Sequence, residues 1–446
     1  MKLGEVGHIL QVSCSKPDVD VYRFSTDSRR VNVGDLFIAF SGDNHNGHDF
    51  IESAISKGAV AIIAERDIEV GVPVLKVKNA RLAYAKLAKA HCAKMNVKKI
   101  AVTGSCGKTS TRAFLEGIFS EAGLTHASIE SFNNDIGVPY TVLQLTPEHE
   151  YLVSELGANH AGEISFLTDI VQPDIAIITN IAPAHLEGFK SIDGVAHAKS
   201  EIFEGLSSNG VAVLNADNEY FSFLKKQARP HRVVSFGIEE EAEVCASNIV
   251  FNEKGHASFL LTLPGEVIDI MLGVVGLHNV SNALAAAAAG FAAGLSIKQI
   301  KSGLEKAKPV TKRLVEKHAK CGAVVIDDSY NANPLSVSAA IEALAQYKGK
   351  KIFVLGDMLE LGENENEMHR ALGVMARQKG INLFYGYGIR TLNAVEAYGD
   401  DGYHFSDRDA LAAAIEKNLD KHTTVLIKGS NSMGMDKVVQ ALVGDA

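Results

Sequence analysis

Residues 101–110 read Ala-Val-Thr-Gly-Ser-Cys-Gly-Lys-Thr-Ser, an apolar run that passes into a glycine loop and then into a segment suited to open a helix. Gly104 and Gly107 let backbone N–H groups approach an anion, Lys108 reaches the β- and γ-phosphates of a nucleotide, and the Thr109 hydroxyl is placed for Mg²⁺. ATP is therefore the expected ligand, with Gly104, Ser105, Cys106, Gly107, Lys108, Thr109 and Ser110 as its candidate loop. The full phosphate-loop pattern has a glycine where Val102 stands, so this is a shortened version.

Strands and helices alternate on either side of this loop. Tyr151–Glu155, Ile175–Asn180 and Gly210–Asn215 are short apolar runs that end in polar residues, as parallel strands do when their carboxyl ends face a ligand crevice. Residues 232–274 look antiparallel, a β-rich insertion before the alanine-rich stretch from Asn282. Strand-like runs at Ala323, Lys351, Leu383 and Thr424 form another doubly wound unit. Runs at Gly34 and Ala59 form a small α/β unit near the start, followed by a helix with Leu82, Ala85, Leu87 and Ala88 on its apolar face. The fold class is α/β, with a small α/β N-terminal domain (1–98), a central, mostly parallel phosphate-loop domain (99–312) and a Rossmann-like C-terminal domain (313–446).

At 446 residues the chain is too long for one core, which agrees with several domains. A net charge of −9 and the lack of any Lys/Arg-dense run argue against a nucleic-acid partner. Cys14, Cys92, Cys106, Cys245 and Cys321 are widely spaced, as suits reduced thiols. The first residues lack the basic and apolar regions of a signal peptide, and the alanine-rich stretch is too short to span a bilayer. A cytoplasmic location is expected.

Glu155 ends its strand beside the phosphate loop, well placed to hold Mg²⁺. The following strand leads to His185 and Glu187. Lys199 lies in Ala-His-Ala-Lys-Ser-Glu; since lysine is seldom buried, the residues alone make it a solvated or salt-bridged lysine. Asn279 and Asn282 start the alanine-rich helix, either as caps or as contacts to a base. Asp327-Asp-Ser-Tyr-Asn-Ala-Asn-Pro334 is a polar cluster at a strand end. His45 and His48, in a glycine- and asparagine-rich loop, lack the firm spacing of a zinc site.

Together, the phosphate loop, Asn133-Asn-Asp-Ile-Gly-Val-Pro139, Glu155-Leu-Gly-Ala-Asn-His-Ala-Gly-Glu163, Gly276-Leu-His-Asn-Val280 and Asp327–Pro334 resemble the Mur ligases from about Ser25 to Asp436. The phosphate loop alone is also similar to that of folylpolyglutamate synthetases. The Glu155 and Asp328 strings favour the branch that joins D-alanyl-D-alanine to UDP-N-acetylmuramoyl-tripeptide. The resemblance implies an N-terminal domain for the UDP-muramyl peptide, a central ATPase and a closing C-terminal domain, in an ATP- and Mg²⁺-dependent amide ligase acting on small molecules; a monomer is expected, though no residue pattern fixes the oligomeric state.

By the same resemblance Thr109 and Glu155 bind one Mg²⁺, His185 binds a second, and Lys199 matches a carbamylated lysine that ligates metal, so Lys108, Glu155, His185 and Lys199 form the catalytic set. Asn279, Arg313 and Asp328 match nucleotide-binding positions. Ser25, Thr26, Asp27, Ser28 and Arg29 match the uridine-diphosphate side. The chain departs from the family at Lys312-Arg313-Leu314, where Gly-Arg-Leu is common, and at Lys428-Gly-Ser-Asn-Ser, where Lys-Gly-Ser-Arg-Ser is common. With Asn431 in place of that arginine, its charge would fall to a neighbour such as Lys428 or Lys437. The alternatives are a related ligase with another acceptor, or a protein that closes on ATP without ligating.

Overall fold

The computed structural model describes residues 1–42, 46–129 and 131–444. Its strands form three sheets. The first contains β1 (Arg23–Ser25), β2 (Asp35–Ile38), β3 (Ala61–Ala64) and β4 (Val74–Lys76), all parallel and in chain order. Leu36, Ile38 and Ile63 face Tyr84 and Leu87 of the helix Ala80–Cys92, while Phe37 and Ile62 fill the opposite core. Leu82 is exposed on that helix, outside the apolar face expected of it, because Ala80, Ala83, Tyr84 and Leu87 make the buried stripe.

The second sheet has nine strands. These are β5 (Lys98–Thr103), β6 (Thr125–Ala127), β7 (Tyr151–Glu155), β8 (Ile175–Ile178), β9 (Val211–Asn215), β10 (Arg232–Gly237), β11 (Val244–Phe251), β12 (His256–Leu263) and β13 (Glu266–Val275). Alternate side chains enter two cores: Ile100, Val102, Val153 and Ile177 on one face, Ala101, Leu152, Ala176 and Ile178 on the other. A sheet buried on both faces needs such apolar runs. β5 pairs with β7 on one side and β8 on the other, so the winding reverses at β5. A crevice at the carboxyl ends of the strands follows from that reversal.

The segment 232–274 is a continuation of this sheet and not a separate insertion. β10 is parallel to β9 and to β11, and only β11, β12 and β13 run antiparallel. Val234, Phe236, Phe259, Leu261 and Ile270 join the same core as Ile100 and Val102, which ties the antiparallel wing to the parallel strands. Helices Leu277–Ala292 and Ile297–Lys306 pack over the phosphate-loop helix Lys108–Ser120. A Cβ on Gly117 would lie 2.5 Å from the Gly303 carbonyl oxygen, so backbone meets backbone there.

The third sheet contains β14 (Val315–His318), β15 (Val324–Asp328), β16 (Lys350–Gly356), β17 (Leu383–Tyr387), β18 (Gly402–Phe405) and β19 (Thr423–Lys428), in the order β14-β15-β19-β16-β17-β18 with only β14 antiparallel. Ile326, Phe353 and Leu426 fill one face and Val325, Val354 and Ile427 the other. All five cysteines are unbridged. Among the described residues no helix is long and apolar enough to cross a membrane.

Candidate active site

β5 ends at Thr103, and the chain turns through Gly104 (φ +150°) and Gly107 (φ +80°) into the helix Lys108–Ser120. A Cβ on Gly104 would lie 1.9 Å from Thr179 Oγ1, and one on Gly107 2.2 Å from Asn282 Oδ1. Both positions need glycine for backbone sign and for space. The Ser105 and Cys106 N–H groups donate to Asn180, to its carbonyl (3.1 Å) and its Oδ1 (3.0 Å), and Ser105 Oγ donates to Ala182 O (2.9 Å). The loop is thus braced against the end of β8, and the helix's first-turn N–H groups remain without partners inside their own helix. Lys108 Nζ donates to Gly104 O at 2.7 Å. Burial holds its pKa below the ordinary lysine value, opposed by the charge of Glu155.

Glu155 closes β7 and is buried. Its Oε1 accepts from Asn133 Nδ2 at 2.8 Å, whereas Oε2 is buried without a hydrogen-bond partner among the described residues. A buried, acceptor-only oxygen left bare is costly and fits a cation. Lys199, in the helix Ile192–Ser200, is only 1 % exposed. The solvated or salt-bridged reading of it fails: the ammonium lies against the Phe189 ring at 5.6 Å. Burial first, and Lys108 second, bring its pKa down to about 7, so a neutral amine is accessible near neutral pH.

His185 precedes the short helix Leu186–Phe189 with a left-handed backbone (φ +53°), and its Nδ1 bonds the Glu360 carboxylate. Burial lowers its pKa while Glu360 opposes the shift. Among the described residues no three His, Cys, Asp or Glu side chains cluster as a metal nest. A cation here would draw on the bare Glu155 Oε2 and on phosphate oxygens, as Mg²⁺ commonly does.

The C-terminal sheet covers the crevice. Arg313 Nη2 donates to Thr109 Oγ1 at 3.0 Å, its guanidinium stands 4.4 Å from the Tyr330 ring, and Asn333 contacts Cys106 Sγ at 3.0 Å. Asp328 ends β15, and Lys428 Nζ donates to its Oδ2 at 2.6 Å. Burial raises the Asp328 pKa and Lys428 works against that rise. Lys428 is therefore already matched in charge, and Lys437 is exposed outside the cavity lining. Asn431 Nδ2 donates to Tyr330 O.

These groups enclose a cavity of about 730 Å³ lined by Ser105, Cys106, Gly107, Lys108, Ser110, Glu155, His185, Asn279, Arg313 and Asp328. Thr109 lies beneath Arg313, and Lys199 is buried within electrostatic reach of Lys108 and His185. Asn279 and Asn282 are not caps: Gly276 holds that place, while Asn279 Nδ2 donates to Val275 O and Asn282 Nδ2 to Asn279 Oδ1. Ser25, Thr26, Asp27, Ser28 and Arg29 lie apart from this cavity, on β1 and the turn after it, where Asp27 pairs with Arg29 at 2.9 Å. His45 lies outside the described residues; His48 Nε2 accepts from the Glu65 N–H. Asn180 is the polar end of the run Ile175–Asn180 that points to the crevice, whereas Glu360, four residues beyond β16 among Met358, Leu359 and Leu361, carries no such signal.

Three family descriptions match: "Mur ligase family, catalytic domain" over residues 20–96, "Mur ligase middle domain" over 102–290, and "Mur ligase, glutamate ligase domain" over 312–431. The UDP-N-acetylmuramoyl-tripeptide–D-alanyl-D-alanine ligase of Escherichia coli (strain K12) is 38% identical over 443 residues, 99% of this chain and 98% of its own. Its counterpart from Bacillus subtilis is 32% identical over 95% of this chain and 93% of its own. A crystal structure of MurF from Acinetobacter baumannii superposes with a TM-score of 0.93 at 34% identity, covering 98% of each chain. MurF ligase from Thermotoga maritima in complex with ADP superposes at 0.85 with 28% identity, over 95% of this chain and 98% of that one. With all three sheets matched and the likeness running nearly end to end, the chain belongs to the Mur ligase family.

Proposed function

We propose that this chain is an ATP-dependent, ADP-forming amide ligase that joins D-alanyl-D-alanine to UDP-N-acetylmuramoyl-tripeptide, as a monomer in the cytoplasmic stage of peptidoglycan synthesis. The observation that carries this reading is the convergence of Lys108, the bare Oε2 of Glu155 and His185 in one cavity under Arg313 and Asp328, with the buried Lys199 nearby. The near-complete likeness to ligases of that name supports it.

The tripeptide carboxylate attacks the γ-phosphorus of ATP, ADP leaves, and the amine of D-alanyl-D-alanine then attacks the acyl carbon with release of phosphate. Such a path brings anions together, so positioning and charge carry the catalysis. Lys108 and the first-turn N–H groups of its helix hold the phosphates. Arg313 and Asp328 hold the nucleotide from the C-terminal side, with Asp328 on the ribose and Asn279 beneath. Ser25, Thr26, Asp27, Ser28 and Arg29 hold the uridine diphosphate. The residues that would hold Mg²⁺ are Thr109, Glu155, His185 and Lys199, the last as the carbamate formed when its neutral amine takes up CO₂ and loses a proton. Bound Mg²⁺ supplies charge neutralisation between the phosphate oxygens and the attacking carboxylate.

The test is phosphate release from ATP with the nucleotide tripeptide and a panel of acceptors: D-alanyl-D-alanine, single amino acids and glutamate. Release that depends on D-alanyl-D-alanine alone is expected. Release with glutamate or a single amino acid instead would assign the chain to another branch of the family.

A further inference from the structure

His185 and Glu360 are separated by 175 residues yet meet at the cavity wall, His185 from the segment between β8 and the helix Leu186–Phe189 and Glu360 from the turn after β16. Both have left-handed backbones, φ +53° and +63°, a conformation non-glycine residues keep only when the surroundings hold it. The turn is held from behind: the Met358 N–H donates to His369 Nε2 (3.0 Å), the Leu359 N–H to Ser430 Oγ (2.9 Å), and Asp357 accepts from the Thr391 N–H (2.8 Å). Glu360 is thereby presented to the central domain, where its carbonyl also accepts from the Glu187 N–H at 3.5 Å. Its side chain is half exposed, so the core does not depend on it.

An ionised carboxylate only accepts hydrogen bonds. The His185 nitrogen facing Glu360 must then carry the proton, leaving Nε2 as the ring's electron-pair donor. Carboxylates behind a ligating imidazole fix its tautomer and orientation in this way.

We propose that Glu360 is a positioning residue of the C-terminal domain: it holds His185 in the Nδ1–H tautomer, with Nε2 presented for a divalent cation, and makes that presentation depend on the packing of the C-terminal domain against the central one. The metal part rests on the ligase reading given above; the tautomer part does not.

The test uses the full chain with ¹⁵N-labelled histidine at pH 8, the His185 signals being assigned by their loss in His185→Gln. Wild type is expected to show a protonated Nδ1 and an unprotonated Nε2. Glu360→Ala is expected to revert toward the Nε2–H form that a free histidine side chain prefers and to weaken Mn²⁺ binding, followed by electron paramagnetic resonance, about 10-fold or more. Glu360→Gln, whose amide oxygen can still accept from Nδ1–H, is expected to keep the wild-type tautomer. The proposal is overturned if wild type shows the Nε2–H form, or if either readout is unchanged in Glu360→Ala. A wild-type chain with the Nδ1–H signature but no acceptor-dependent phosphate release would refute the ligase reading and leave the tautomer assignment standing.

Discussion

Arg313 Nη2 rests 3.0 Å from Thr109 Oγ1, so a guanidinium from the C-terminal domain sits on the hydroxyl beside the phosphate loop. On the proposed reading, a nucleotide entering the cavity would exchange this neutral partner for phosphate oxygens, a stronger one for a planar, five-donor cation. Arg313→Lys keeps the charge but loses the fork and the stack on Tyr330. Its KM for ATP is expected to rise about 10-fold, in line with a charge-assisted hydrogen bond, with the thermal midpoint nearly unchanged. Steady-state titration of ATP reads this, and an unchanged KM would remove Arg313 from the nucleotide site.

Lys108→Ala removes a cavity-lining ammonium whose native contact is the Gly104 carbonyl. Phosphate release is expected to fall by about 10²-fold or more, as for comparable electrostatic groups. Circular dichroism should show the wild-type fold, and near wild-type turnover would contradict the ATP assignment.

Lys199→Ala is expected to fold and to lose most activity at saturating ATP. Acetate at high concentration should partly restore the rate by standing in for a carbamate, and chloride at equal ionic strength should not. A surface lysine in an ion pair would cost about 0 to 1 kcal/mol in stability and nothing in turnover, so full activity in Lys199→Ala refutes the carbamate.

The same lysine gives a pH signature. With its folded pKa down at about 7, the unfolded chain binds its proton through the window from there to the ordinary 10.5 while the folded chain has released it, so stability rises with pH across that window. Lys199→Met should therefore melt higher than wild type in CO₂-free buffer at pH 6, with the advantage shrinking toward pH 10. Scanning calorimetry checks this, and an advantage that grows with pH would show that the lysine is not held at a cost. Bicarbonate-dependent activity of the wild type should fade as the pH falls through about 7.

The parts of this molecule that were legible in sequence are local. The strand, glycine turn and helix around Lys108 depend on neighbours within a few residues, and the polar ends of β7, β8 and β15 announce the crevice. The antiparallel wing was misplaced because strand direction alone does not tell whether a hairpin extends an existing sheet; Phe236, Phe259 and Ile270 sharing one core decides that. Of the two readings open for Asn279 and Asn282, caps or contacts to a base, the first fails: they bond to each other and to Val275, and both line the cavity. Lys199 was misjudged from its residues alone, since its burial is set by the packing of its helix against Phe189 and the sheet. Thr109 with Arg313, Cys106 with Asn333, and His185 with Glu360 are 204, 227 and 175 residues apart. No periodicity encodes such pairs; they exist only once two sheets are packed together.

The glycine contact between the phosphate-loop helix and the helix Ile297–Lys306 divides the molecule into parts that can and cannot be varied. A methyl group at Gly117 would meet the Gly303 carbonyl oxygen at 2.5 Å, and one at Gly303 would meet the Ile118 Cα at 2.3 Å, with backbone on both sides and no flexible side chain to give way. Interiors packed so closely transmit strain. Drift in sequence, or selection for resistance to an inhibitor lodged in the cavity, therefore has little room behind the phosphate loop. Leu335 and Asn431, by contrast, line the cavity with exposed side chains, where a change of residue meets no helix backbone.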